Sequence, residues 1–238
     1  MDVLIFIVLA VISFILASAT HELGHVLTGL IEGFKFHLFV AGPLGVKRDE
    51  NDRIVVYFEK DISLWGGIAA TLPQEADQDN YKKFGRLLLG GPLISILIGT
   101  VSLIPGVLID QIFLTLFGLM SIGMGMVSLI PMRNGAFYTD GGRWLRMHKN
   151  EATKAVEMAI WNLTQNAIIQ GDYTNANLDK ILILKNDGDV RTQYLGHYFA
   201  CQYYKANQDS ENLEIAKAAL EGLRGKVPKQ MVSMFKVD

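Results

Sequence analysis

The segment His21-Glu22-Leu23-Gly24-His25 carries residue types and a spacing suited to metal chemistry. On an α-helix, positions four apart stand one above the other, so both imidazoles can reach a single ion. A zinc ion held by two histidines and one further protein ligand keeps a coordination position open for water. Glu22 follows the first histidine and can sit beside that position, where its carboxylate can take a proton from the water. A motif with two free positions in five recurs by chance, and the competing reading is an unrelated histidine pair with a nearby glutamate. The surroundings weigh against that reading. The motif lies within a turn of an uncharged stretch, Val3 to Thr20, and charged or ionisable groups at a membrane span are costly unless they have work to do.

The elements that must position these residues are apolar. Half of the 238 residues are hydrophobic, 19% are charged, and the mean hydropathy is +0.25. The apolar residues gather in three uncharged stretches, Val3 to Thr20, Leu87 to Ile109 and Gln111 to Met132. Each approaches or exceeds the roughly 20 residues that cross a bilayer as a helix. The reading is an α-helical integral membrane protein. Its core, residues 1–148, holds helices over about 3–31, 87–109 and 111–132 and a small membrane-associated β-rich insert over about 34–60. Residues 149–238 form a helical cytoplasmic domain.

Several finer readings follow. Val3 to Leu16 before Ala17-Ser18-Ala19 has the look of a cleavable signal. Its start carries Asp2 and no basic residue, however, and the helical pattern runs on through Leu23, Val26, Leu27, Leu30 and Ile31, so the segment is expected to be retained. Phe34 to Val40 and Arg53 to Glu59 read as strands, with turns at Gly42-Pro43, Gly45 and Lys47 to Asp52. Glu75 to Lys83 reads as a polar approach to the second span. Basic residues fill the segment from Lys35 to Arg86 and reappear from Arg133 to Lys149, while the short connection at Gly106 to Gln111 has none. This asymmetry places the protein in the cell membrane as a multi-pass chain, N-terminus outside and C-terminus in the cytoplasm. Beyond Asn150, amphipathic patterns around Ala155 to Asn162, Leu195 to Tyr203 and Leu213 to Leu223 predict helices, loosely similar to tetratricopeptide hairpins. A net charge of −2 gives no reason to expect nucleic acid as a partner. The single cysteine, Cys201, reads as a small buried residue.

A third metal ligand is needed. A histidine six residues beyond His25 would supply it, but that position is Ile31. Glu50 and Glu59 fall in turn and strand, and Glu75 in a polar loop. Asp140, in Thr139-Asp140-Gly141-Gly142-Arg143, is the better candidate. It follows the third span, and charge asymmetry puts it at the same membrane face as the histidines. The competing reading of Asp140 is a helix N-cap ahead of Gly141 to Met147.

With these residues in place, residues 1 to 148 resemble the site-2 protease family of intramembrane metalloproteases. That family pairs a membrane-embedded His-Glu-x-x-His helix with an Asp-Gly motif on the third core helix, and here His21-Glu22-Leu23-Gly24-His25 and Asp140-Gly141 stand in those places. Gly91-Pro92 in the middle span and the strand-rich insert fit as well. The resemblance implies a zinc endopeptidase in which His21, His25 and Asp140 bind Zn2+, Glu22 is the general base, and the substrates are membrane-anchored or signal-peptide-like chains. The family commonly has Asn and Pro shortly before Asp-Gly. Here Ser128 stands where the Asn would be and Pro131 is farther from Asp140, which an expanded Met132 to Thr139 loop would explain, with Asn134 as an alternative for the Asn role.

A helical substrate must unwind before it is cut, and a strand edge within Phe34 to Glu59 could hold it by main-chain pairing. The C-terminal helices could recruit a cytoplasmic regulator. Two other functions compete. One is an inactive membrane scaffold that binds partners through those helices. The other is a membrane-tethered zincin acting on soluble proteins with a ligand other than Asp140. His37, His148 and His197 are expected to pack rather than bind metal. Trp65 and Trp144 suit the membrane interface, and Met120, Met124 and Met126 suit packing or lipid contact.

Overall fold

A computed structural model of the chain describes residues 2–49, 51–74, 79–170 and 173–237. The chain divides into two compact units, Met1–Pro131 and Met132–Asp238.

The first unit is built on three long helices, α1 (Val3–Ile31), α2 (Asn80–Leu108) and α3 (Ile112–Leu129), each packed on the other two. All three are long and apolar enough to cross a membrane. Asp2 caps α1 by accepting from the Leu4 amide at 3.1 Å, and Gly33, at φ +82°, ends it where a side chain would be strained. α2 begins seven residues before the expected span, because Asn80 to Arg86 continue the helix as polar turns. The part of the expected polar approach at residues 75–78 lies outside the described residues. α3 stops at Leu129, short of Met132, since the residue before Pro131 is driven out of the helical region.

Packing among these helices places small side chains inside and large apolar ones outside. Ser13, Ala17 and Gly24 of α1, Ser95 of α2, and Gly118 and Ser121 of α3 are buried. Val3, Leu4, Leu97, Val101, Leu108 and Leu119 are exposed. A bundle in water needs the reverse order. In lipid nothing drives large apolar groups inward, and helices gain by close backbone approach. The approach is close: a Cβ at Gly24 would stand 2.6 Å from the Gly90 carbonyl oxygen, and one at Gly99 would stand 2.8 Å from that of Gly118.

Between α1 and α2 the chain forms an antiparallel sheet of β1 (Lys35–Ala41), β2 (Leu44–Arg48), β3 (Ile54–Phe58) and β4 (Ile68–Leu72), in the order β3-β2-β1-β4. β1 and β3 lie where strands were expected. β2 and β4 were not foreseen. Gly45 reads as a turn residue, yet it pairs with Tyr57, whose ring occupies the space a side chain would take. β4, Ile-Ala-Ala-Thr-Leu, has few strand formers and is held by pairing to β1 and packing on α1.

The second unit opens with a two-stranded hairpin, β5 (Arg133–Asn134) and β6 (Phe137–Tyr138), followed by α4 (Asp140–Lys149), α5 (Glu151–Gln170), α6 (Leu178–Lys185), α7 (Val190–Ala206), α8 (Ser210–Arg224) and α9 (Lys229–Met234). Successive helices from α4 to α8 pack on one another around Leu163, Leu184, Leu195 and Phe199. The helices expected from amphipathic pattern correspond to α5, α7 and α8. α4 covers the helix weighed over Gly141 to Met147, while α6 and α9 are shorter and their patterns too brief to stand out. Cys201 is buried in this core, and burial pushes its thiol up to about 11. Such a thiol is inert at neutral pH.

Candidate metal centre

α1 presents His21 and His25 one turn apart on the side that faces α2. His21 is buried and His25 half-buried. The His25 Nδ1 lies 2.8 Å from the Leu87 carbonyl oxygen. A carbonyl can only accept, so Nδ1 carries the proton and Nε2 keeps its lone pair. The His21 Nδ1 lies 3.1 Å from the Ser95 hydroxyl, which is itself fully buried. Both partners come from α2, one above and one below Gly91-Pro92.

This arrangement aims both Nε2 atoms at one point. They stand 3.3 Å apart, with the two rings nearly perpendicular at 85°. Two nitrogens at zinc distances of about 2.0–2.1 Å, separated by a tetrahedral angle, would be about 3.3–3.4 Å apart. The pair therefore fits a shared ion. Gly91 makes room for it, since a Cβ there would fall on the His25 ring, nearest to Nε2.

Among the described residues, His21, His25 and Asp140 form a group that can hold a metal ion: one ligand atom from each lies within 4.8 Å of the others. Asp140 is the first residue of α4, and Thr139 occupies the N-cap position that sequence left open to Asp140. The Thr139 side chain makes no cap bond to the helix; it meets Met132, which also accepts from the Thr139 amide at 2.9 Å. The expanded segment between Pro131 and Asp140 is thus a closed β-hairpin. Its two ends meet, so Asp140 follows Met132 in space almost as if the intervening residues were absent.

Glu22 is half-buried beside the turn that leads into β4. Gly67, at φ +105°, lies against it, and a Cβ there would be 3.0 Å from Glu22 Oε1. No other residue type suits both that backbone angle and that space. The Ser18 hydroxyl, one helical turn before Glu22, donates to the Gly66 carbonyl at 2.6 Å and ties the turn to α1.

The other candidates fall elsewhere. His37, His148 and His197 are not in the metal-holding group. His148 meets the Trp144 carbonyl and stacks near its ring, and burial lowers the His197 pKa. The Trp65 indole donates to the Glu59 carbonyl at 3.1 Å. Met126 is exposed, while Met120 and Met124 are half-buried on α3. Ser128 donates to the Gly125 carbonyl of its own helix. Glu50, Glu75 and the Asn134 side chain lie outside the described residues.

Sequence reasoning missed Ser95, the Leu87 carbonyl and Gly67. A main-chain carbonyl has no sequence signal, and a serine in an apolar span has only a weak one. Metal-bound histidines depend on such partners, whose removal costs about 10–100-fold in affinity. Ser95→Ala should weaken metal binding by that order while helix content is unchanged. Chelator competition on both proteins measures it, and equal affinities would show that the Ser95 contact is idle.

Comparison with family models, curated proteins and solved structures returns no match. The site therefore stands on its own geometry, a His-His-Asp group that can hold a metal ion.

Proposed function

We propose that this protein is a zinc-dependent intramembrane endopeptidase that cuts membrane-anchored or signal-peptide-like chains. The observation that carries the reading is the histidine pair. Its Nε2 atoms converge at 3.3 Å, with one tautomer set by a main-chain acceptor, beside a glutamate one residue along the helix. Two imidazoles and a carboxylate make a donor set that suits zinc and leaves a position open. His21, His25 and Asp140 would hold the ion, and the resemblance to site-2 proteases assigns the same three residues.

Zinc, when bound, supplies Lewis acidity, polarising a carbonyl and acidifying water. Glu22 would serve as the proton acceptor for the attacking water and the donor to the leaving amine. β4 starts immediately after Gly67, so this outer strand begins beside Glu22. A substrate unwound into an extended chain can pair with such a strand and present its carbonyl to the site. β4 thereby replaces the strands of Phe34 to Glu59 as the preferred substrate edge. The basic residues flanking the spans favour an outside N-terminus and a cytoplasmic C-terminal unit.

The test uses full-length protein in detergent micelles. Zinc content is measured for wild type and His25→Ala, and cleavage is scored on a panel of single-span substrates, each with an N-methylated counterpart. The reading expects zinc in the wild type only, chelator-sensitive cleavage, and resistance of the N-methylated chains. A wild type without metal favours an inactive scaffold. Zinc-dependent cleavage confined to soluble proteins favours a tethered zincin.

A further inference from the structure

The four-stranded sheet of the first unit has two edges, and they differ. β4 packs on α1, and its pairing to β1 carries an irregularity between Phe36 and Leu38. β3, at the opposite edge, pairs with β2 in unbroken register from Ile54 to Phe58. Its side chains are Ile, Val, Val, Tyr and Phe. Val56 and Phe58 are each 65% exposed and Ile54 is 52% exposed, so their apolar surface is largely uncovered. Proteins ordinarily blunt an edge strand with a charge, a proline or a bulge. β3 has none of these between Ile54 and Phe58. A regular apolar edge of this kind is a template for another strand.

Hydrogen bonds at its two ends fix which way the backbone of β3 faces. The Asp49 amide donates to the Arg53 carbonyl and the Glu59 amide to the Pro43 carbonyl, both at 2.9 Å. In an antiparallel pair such bonds recur at every second residue. Arg53, Val55, Tyr57 and Glu59 therefore bond toward β2, and the amides and carbonyls of Ile54, Val56 and Phe58 point outward. Asp52 ties the start of the strand to its neighbours, pairing with Lys35 of β1 at 2.5 Å and Arg48 of β2 at 3.3 Å.

The sequence along this edge is self-complementary. When two copies pair antiparallel about Val56, the outward groups of Ile54 meet those of Phe58, and those of Val56 meet their own. Side chains then meet as Val56 with Val56 and Ile54 with Phe58 on one face, and as Val55 with Tyr57 on the other. Aromatic against β-branched is a favourable cross-strand pair. Just beyond, Arg53 of one copy faces Glu59 of the other at both ends of the contact. Glu59 is already set on that face, since its carboxylate accepts from the Tyr57 hydroxyl at 3.2 Å. Moving the centre of pairing by one residue sets Arg53 against Tyr57 or Glu59 against Val55 and breaks the charge match. We infer that β3 is the surface through which two copies of this chain associate, joined antiparallel about Val56 into one continuous sheet. β4 stays at the outer edge of each copy, so the strand that begins beside Glu22 remains open to an extended chain.

The experiment uses full-length protein in detergent micelles, with mass read by sedimentation and contacts captured as disulfides by a mild oxidant. The native thiol, Cys201, is fully buried and stays out of the reaction. Val56→Cys places two sulfurs across the two-fold axis, where paired Cα atoms are about 5.5 Å apart, within the roughly 4.4–6.8 Å that a disulfide spans. It should cross-link to itself, whereas Ile54→Cys should cross-link only when mixed with Phe58→Cys. Arg53→Glu and Glu59→Arg should each weaken association about tenfold, and the two changes in one chain should restore it. A single-copy mass at every protein concentration would overturn the inference and leave β3 to lipid. So would equal capture by Ile54→Cys and Val56→Cys alone, or charge variants that the combined change does not rescue.

Discussion

Replacing Glu22 with glutamine should cut peptide-bond hydrolysis by roughly 10²–10⁴-fold, the usual contribution of a general base, and leave zinc bound. The two effects separate because Glu22 is not among the residues of the metal-holding group. Glutamine has nearly the same shape, so it can keep the contact with Gly67 at the turn before β4. It cannot accept a proton at neutral pH. Binding of an extended substrate along β4 should also survive, so the loss should appear in kcat with KM little changed. Rates and zinc content of the two proteins on one substrate decide the matter. Equal rates would remove Glu22 from the mechanism, and loss of zinc would make it a ligand.

Gly91→Ala should be nearly as severe, through the metal. A Cβ at this position falls on the His25 ring. The ring has little freedom to yield, because Nδ1 is bound to the Leu87 carbonyl at 2.8 Å and Nε2 stands 3.3 Å from that of His21. Any shift that relieves the clash moves the ligand atom itself. Zinc affinity should fall by about 100-fold or more, beyond the loss of an indirect partner. Alanine also favours the helix over glycine by about 1 kcal/mol, so helix content should hold or rise as metal is lost. That opposition distinguishes a site effect from unfolding. Wild-type zinc affinity in this variant would show that the His25 ring is free to move.

Much of this protein is legible in its sequence. Three apolar runs give three helices of spanning length, since hydropathy over about twenty residues is a property of composition and needs no partner. The histidine spacing forecasts a shared face of α1, because helical geometry alone puts residues four apart together. The strands were half legible. β1 and β3 carry Phe, Val and Ile, whereas β2 and β4 are strands because of what they pair with and lie on. Short helices such as α6 and α9 escaped because a turn or two of pattern is indistinguishable from chance.

For the site, residue types and local spacing named His21, Glu22 and His25 and the chemistry they can do, and the place of Asp140 after the third apolar run named it as the third candidate. Tertiary structure decided the rest. It showed that the residues between Pro131 and Asp140 close into a hairpin, that Leu87 and Ser95 orient the imidazoles, and that Gly67 and Gly91 leave the space they need. The physical reason is range. Helix periodicity and hydropathy are written in neighbouring residues, whereas these contacts join positions up to 74 residues apart and exist only once the helices have packed.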